Sequence, residues 1–337
     1  MQATPSSDAP SVLVTRGLPE GSLDPITDAG LGLRYWDRDE TMPRAAVLAE
    51  LQHVEGMLCT IGERVDQELL DAGPLLKVIA NYAVGYDNID VPACTARNVV
   101  VCNTPNVLTE TTADLAWALI LGIARRVGEG IDVVKRGEWK TWSPLFLLGR
   151  DVHHATLGIV GMGAIGWQVA RRAFGFDMQV LYTSRQPRRD LEAQAPIRYV
   201  DLETLLRESD FVSVHVALSA ETRHFIGPAQ LALMKPTAYL INTARGPIVE
   251  QRALYEACAS GQIAGAGLDV TDPEPMDPAD PLLTLPNVLV VPHVGSATAG
   301  TRLRMGRLAA ENVAAVLTGR RPPAPVNPDV LASVLRA

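Results

Sequence analysis

Along most of the chain, short apolar runs alternate with stretches in which apolar residues recur every three to four positions. Such runs predict buried strands and the amphipathic stretches predict helices, the pattern of βαβ units around parallel sheets. "SVLVT" (11–15), "GMLCT" (56–60), "LKVIANY" (76–82) and "VVVCN" (99–103) form a first series of strands. A second series follows: "ATLGIVG" (155–161), "MQVLYT" (178–183), "FVSVHV" (211–216), "AYLINT" (238–243), "GAGLDV" (265–270) and "VLVVPH" (288–293). Between them, an alanine- and leucine-rich stretch predicts one long helix from about Val107 to Arg126, then a shorter one. "AGTRLRMGRLAAENVAAVLTG" (299–319) predicts an amphipathic helix stopped by Gly319, and "RRPPAPVNPDV" (320–330) an extended tail.

Composition narrows the picture only modestly. A length of 337 residues suits two domains, and 47% hydrophobic with 20% charged residues is ordinary for a globular protein. The net charge of −8 argues against nucleic-acid and membrane-surface partners, which call for a concentrated basic face. Cys59, Cys94, Cys102 and Cys258 stand far apart without a CxxC pair, which fits a reducing compartment better than a disulfide framework or a zinc site. The first ten residues, "MQATPSSDAP", lack the basic start and apolar run of a signal peptide. No apolar stretch approaches the roughly 20 residues needed to span a bilayer. The expectation is a cytoplasmic protein.

Chemistry enters with "GIVGMGAIG" (158–166). Gly161, Gly163 and Gly166 follow an apolar strand and open a helix, the context in which a GxGxxG turn cradles a dinucleotide pyrophosphate at a helix N-terminus. In an open parallel sheet, ligands sit beyond the carboxyl ends of the strands. Those ends here carry Arg185, His215, Arg245, Asp269 with Glu274 just beyond, and His293. A structural sheet would more often end in Gly, Asn or Ser turns. Taken singly the residues are ambiguous. His293 could be a structural histidine, Arg245 a surface ion-pair residue, and Asp269 and Glu274 turn residues in "DVTDPEPMDPADP", where Asp272 competes as an acid partner. His153 and His154 are adjacent, so they are expected to point apart and not to form a metal pair; no metal is expected.

"VGYDNID", "GIVGMGAIG", "INTARGPIV", "GAGLDV" with "EP", and "VPHVGSAT" fall in one order and spacing. Together they resemble the D-isomer-specific 2-hydroxyacid dehydrogenases, from about Leu76 to Asn327. "NVLTETTAD", "GEW", "DVHHATLGIVGMGAIG" and "VNPDV" are most similar to the glyoxylate/hydroxypyruvate reductases within that family. The resemblance implies an α/β fold of two Rossmann-like domains with a cleft between them. A discontinuous, flavodoxin-like substrate-binding domain (1–104 plus 296–337) would accompany a doubly wound NAD(P)-binding domain (105–295). It implies that His293 is the general acid, that Glu274 orients it, and that Arg245 grips the carboxylate and keto oxygen of a small 2-keto acid. Gly161, Gly163, Ala164, Ile165, Gly166, His215, Thr243, Ala244, Asp269 and Gly295 would contact the cofactor, Asp269 through the nicotinamide carboxamide. The backbone amides of Val84 and Gly85 would complete the carboxylate site. Leu108, Trp142 and Leu145 would shape substrate choice, while Trp139 reads as a core or interface aromatic. The family also implies a homodimer.

Cofactor choice is read from "YTSRQPRR" (182–189). An NAD enzyme offers an acid after its second strand to hold the ribose hydroxyls. Here Thr183, Ser184 and Arg185 stand there, followed by Arg188 and Arg189. An anionic 2′-phosphate would meet no carboxylate at Thr183 and would find a donor in Ser184 and cations in the arginines. NADPH is expected to be preferred, with NAD possible. Glyoxylate and hydroxypyruvate are the expected substrates. A phosphite-oxidising relative would be expected to carry lysine at Val84, and a formate dehydrogenase glutamine at Glu274. A phosphoglycerate dehydrogenase, or a nucleotide-sensing corepressor that binds without turnover, remains an alternative.

Overall fold

The computed structural model describes residues 10–335. The expectation about a leader in residues 1–10 therefore lies almost wholly outside it. The described chain forms two compact units, one running to Leu108 and resuming at Ser296, the other Thr109–Gly295.

The first unit is built on five strands: β1 (Ser11–Val14), β2 (Gly32–Tyr35), β3 (Gly56–Cys59), β4 (Val78–Asn81) and β5 (Val100–Cys102). All pair in parallel, in the order β2-β1-β3-β4-β5, the flavodoxin-like doubly wound arrangement. Leu13, Met57, Ile79 and Val101 meet in one core cluster, and the helix Ala299–Leu317 packs against β3 and β4. The tail is not extended throughout: it bends at Pro323, Ala324, Val326 and Asn327 and meets β5 through an isolated antiparallel bridge between Pro325 and Cys102. Buried Asn327 accepts a hydrogen bond from Val101 N (2.8 Å) and donates to Val99 O (3.0 Å), stitching the tail to β5. Short helical turns follow at Pro328–Val330 and Leu331–Val334.

Seven strands form the second unit: β6 (Thr156–Val160), β7 (Gln179–Thr183), β8 (Ile197–Tyr199), β9 (Phe211–Val214), β10 (Tyr239–Asn242), β11 (Gly265–Leu268) and β12 (Val288–Val290). They too are all parallel, in the order β12-β11-β10-β9-β6-β7-β8, the doubly wound dinucleotide-binding order extended by one strand. Successive side chains turn to opposite faces, and both faces are covered. Val180, Tyr182, Phe211 and Ile241 join one core with the helices Thr109–Ala124 and Ala164–Ala173. Leu181, Val212, Val214 and Leu240 join the other. Burial on both sides explains why the inner strands read as continuous apolar runs.

Two strands escape the apolar pattern, β2 and β8. Each is an edge strand, and each carries exposed or half-buried positions, so its sequence is not a continuous apolar run. The long helix ends at Ala124, and Arg126 adopts a left-handed conformation (φ 52°) that starts a separate helix, Val127–Lys135. Gly319, at φ 72°, lies just past the Ala299–Leu317 helix as its stop signal predicts. Among the described residues, no helix is long and apolar enough to cross a membrane.

Candidate active site

The glycine turn joins β6 to the helix Ala164–Ala173. Gly161 sits at φ 102°, and a Cβ there would lie 2.8 Å from the backbone of His215 at the end of β9. A Cβ on Gly166 would come within 2.2 Å of Gly161 O, so only glycine lets the helix pack this closely on the turn. Gly163 has open space where a side chain would stand, and the helix begins without a side-chain cap. The first-turn amides, Ala164 and Ile165 among them, thus face outward as donors. At the end of β10, Thr243 Oγ1 is buried with no hydrogen-bond partner among the described residues. An uncapped helix start, open room at Gly163 and an orphaned hydroxyl fit a bound dinucleotide.

His215 adds less polar chemistry than its strand-end place implied. Burial pushes its imidazole down to about 4, so the ring is neutral, and Nε2 lies 2.8 Å from Ser213 Oγ. The loop after β7 is similarly restrained. Arg188 is held by Asp190 (2.7 and 2.9 Å) and donates to Met162 O in the glycine turn (2.9 Å), while Arg189 pairs with Glu192 (2.6 Å). The backbone N–H of Arg188 donates to buried Tyr182 Oη (2.7 Å), and Ser184 Oγ donates to Gln186 O (2.6 Å). Arg185 is exposed and makes no ion pair among the described residues. Two of the three arginines are thus already neutralised by neighbouring carboxylates, which the count of cations alone did not reveal.

The ends of β10, β11 and β12 are drawn together by backbone contacts. Gly246 lies so close to Thr271 O that a Cβ would sit 1.8 Å away, pressing the Arg245 turn against the loop after β11. Asn242 braces that turn, accepting from Ala244 N (3.0 Å) and donating to Arg245 O (2.9 Å). The Arg245 guanidinium donates to Ala244 O (2.8 Å). Asp269 is buried, and its carboxylate accepts from Val294 N (2.6 Å) and Gly295 N (2.9 Å). It therefore anchors the turn that carries His293. Burial raises its carboxyl to about 6, against the opposing pull of those amides and of His293.

His293 follows β12 in a left-handed conformation (φ 52°), fixed by its N–H donating to Asp269 O (2.9 Å). Its Nδ1 is hydrogen-bonded to Glu274 Oε1, and both side chains are partly open to solvent. An ionised carboxylate can only accept, so Nδ1 carries the proton. Nε2 has no partner among the described residues and is the free end of the pair. Asp272, the competing acid, lies instead 3.7 Å from Arg223. Gly246 and Asn242 went unassigned in the sequence; "ARGP" was the visible signal, but a glycine's close approach shows only in three dimensions.

Other expected residues fall elsewhere. Val84 and Gly85 belong to the five-stranded unit, just after β4, and Leu108 is buried there. Trp142 and Leu145 are each 79% exposed. Trp139, at 61%, is no core residue of this chain. The rings of His153 and His154 do not point apart: they meet edge to face at 4.9 Å, with His154 in a left-handed conformation at φ 60°. Among the described residues, no group of three His, Cys, Asp or Glu side chains could hold a metal ion.

Comparison with known proteins bears directly on this arrangement. The profile of the D-isomer specific 2-hydroxyacid dehydrogenase NAD-binding domain matches residues 117–295. A glyoxylate reductase of Korarchaeum cryptofilum is 50% identical over 324 residues, covering 96% of this chain and 97% of that protein. A crystal structure of a Thermus thermophilus protein superposes with a TM-score of 0.89 at 47% identity, over 94% of this chain and 99% of that one. An NADPH-dependent glyoxylate/hydroxypyruvate reductase from Sinorhizobium meliloti, in complex with NADP and malonate, superposes at 0.81 with 34% identity, over 95% and 97%. Similarity of this extent, on a sheet whose strand ends gather an arginine, a glutamate and a histidine, has one explanation: the chain belongs to the D-isomer-specific 2-hydroxyacid dehydrogenase family and is an oxidoreductase.

Proposed function

We propose that the protein reduces glyoxylate and hydroxypyruvate, to glycolate and D-glycerate, with NADPH as the preferred cofactor. The observation that carries this reading is the His293–Glu274 pair, with its free Nε2, on the same rim as Arg245. Nε2 of the imidazolium gives its proton to the oxygen of the substrate carbonyl as hydride arrives at the carbon. Glu274 holds the Nδ1 proton throughout and so fixes the ring's orientation. The forked Arg245 guanidinium takes the substrate's carboxylate and keto oxygen, and the Val84 and Gly85 amides receive the carboxylate as well. The bound cofactor supplies the hydride.

The amides of Ala164 and Ile165, with the Gly161–Gly166 turn, hold the pyrophosphate; Thr243, Ala244 and Gly295 line the nicotinamide side. The loop Thr183, Ser184 and Arg185 receives the 2′-phosphate, with Arg185 as its uncommitted cation and Arg188 braced beside the glycine turn. The Sinorhizobium relative, crystallised with NADP, supports this choice of cofactor. The apolar surface at Trp139, Trp142 and Leu145 suits a homodimer in which Trp142 reaches a neighbouring subunit's substrate. The site is assigned no metal and the protein a cytoplasmic setting. A panel of 2-keto acids run with NADPH and NADH tests the reading. Oxidation of NADPH by glyoxylate and hydroxypyruvate is expected; no turnover with any small keto acid would overturn it.

A further inference from the structure

The loop after β4 is held in an unusual way. Three consecutive carbonyls are taken up from inside the five-stranded unit. Ala83 O accepts from Thr104 N (2.8 Å), Val84 O from Asn103 Nδ2 (2.8 Å) and Gly85 O from Asn81 Nδ2 (2.8 Å). By contrast, the N–H groups of Val84 and Gly85 make no hydrogen bond among the described residues, and both residues lie at or below half exposure. Peptide groups are planar and trans here, so each N–H points opposite to the carbonyl before it. Holding Ala83 O and Val84 O from within therefore turns the Val84 and Gly85 N–H groups outward. Successive outward amides form a concave donor pair suited to a carboxylate.

The two clamps come from one dipeptide, Asn103–Thr104, immediately after β5. Thr104 acts through its backbone, which any residue but proline could supply. Asn103 acts through its side chain, and because a carbonyl can only accept, the atom facing Val84 O must be the amide nitrogen. The clamp is itself fixed at both ends of its backbone: Asn103 N donates to Ala324 O (3.3 Å), and Asn103 O accepts from Asn312 Nδ2 (3.2 Å). Asn312 is wholly buried in the Ala299–Leu317 helix and also accepts from Ala324 N (2.9 Å). Asn81 continues the support, donating its second proton to Asn88 Oδ1 (3.0 Å), and Asn88 donates to Thr60 O and Glu63 O (3.2 and 2.8 Å). The ends of β3, β4 and β5 are thus tied by neutral amides.

We propose that Asn103 is a positioning residue for substrate binding, its side-chain amide holding Val84 O so that the Gly85 N–H faces the substrate's carboxylate. This rests on the reading above that Val84 and Gly85 receive that carboxylate. Neutrality suits such a clamp, since a cation in this place would compete for the anion and a carboxylate would repel both Val84 O and the ligand.

The test compares glyoxylate with its uncharged methyl ester at saturating NADPH, in wild type, Asn103→Ala and Asn103→Asp. Wild type should favour glyoxylate. Asn103→Ala should raise the KM for glyoxylate roughly tenfold, the scale of one misaligned hydrogen bond to a charged group, with kcat within about twofold. The KM for the ester, NADPH affinity and Tm should hardly move. Asn103→Asp keeps the shape but replaces the donor, and should lose at least as much. An unchanged glyoxylate KM in Asn103→Ala, or a wild-type KM in Asn103→Asp, would overturn the proposal while leaving the carboxylate reading intact. Equal handling of glyoxylate and ester by wild type would overturn the carboxylate reading itself.

Discussion

The carboxyl rims of the two parallel sheets carry different chemistry. In the seven-stranded unit the rim gathers ions: Arg245 after β10, Asp269 and Glu274 after β11, His293 after β12. In the five-stranded unit the ends of β3, β4 and β5 are tied to one another by neutral amides, Asn81, Asn88 and Asn103, around a loop that presents backbone N–H groups. Both obey the rule that ligands of open α/β sheets meet the carboxyl ends of the strands. In the proposed reading the charged rim moves a proton, which needs a group that can gain and lose one, whereas the neutral amides hold a loop whose backbone N–H groups are fixed dipoles.

Breaking the charged rim should have the larger consequences. Arg245→Lys keeps the charge but loses the fork, and should lower kcat/KM for glyoxylate roughly 10- to 100-fold, because hydrogen bonds to charged groups contribute about 1.5–3 kcal/mol. Steady-state kinetics with NADPH binding as the control would check it; a value within about twofold of wild type would remove Arg245 from the substrate. A smaller effect is expected at the loop after β7, where Arg185 is exposed. Arg185→Ala should shrink the NADPH-over-NADH ratio of kcat/KM by about tenfold, one charge-assisted contact. An unchanged ratio would move the preference onto Arg188, which Asp190 and Met162 O hold in place.

The most modest effect concerns Asp269. Burial raises its carboxyl from 3.8 to about 6, so the folded state binds this proton more tightly than the unfolded chain does. Its contribution to stability is present below about pH 4 and is lost as pH rises through about 6. Asn at this position has no such loss. The Tm of Asp269→Asn minus that of wild type should therefore rise by a few degrees between about pH 4 and about pH 7, whatever constant cost the lost acceptor adds. A difference independent of pH would show that Asp269 is ionised without penalty.

Much of this was legible in the sequence because two-sided burial makes strands β3 to β7 and β9 to β11 read as apolar runs, and because GxGxxG, "ARGP" and "VPH" lie at strand ends. Edge strands β2 and β8 were not, since an edge position need not be apolar. The pairing of His293 with Glu274, not Asp272, depended on how the proline-rich turn folds. The bracing roles of Gly246 and Asn103 were invisible, because each acts on backbone distant in sequence, Thr271 O and Val84 O. The neutralised arginines of the β7 loop misled for the opposite reason. Their partners Asp190 and Glu192 stood in plain view, but the cations were counted without them.

Everything proposed for the charged rim turns on His293, held by Glu274, giving the proton. Single-turnover reduction of glyoxylate by His293→Gln preloaded with NADPH puts that step to the test. NADPH should bind with near wild-type affinity while the rate falls by about 10²–10⁴-fold, the usual worth of a positioned general acid. A rate within a few fold of wild type, with the cofactor bound normally, would contradict the assignment of His293 as the proton donor.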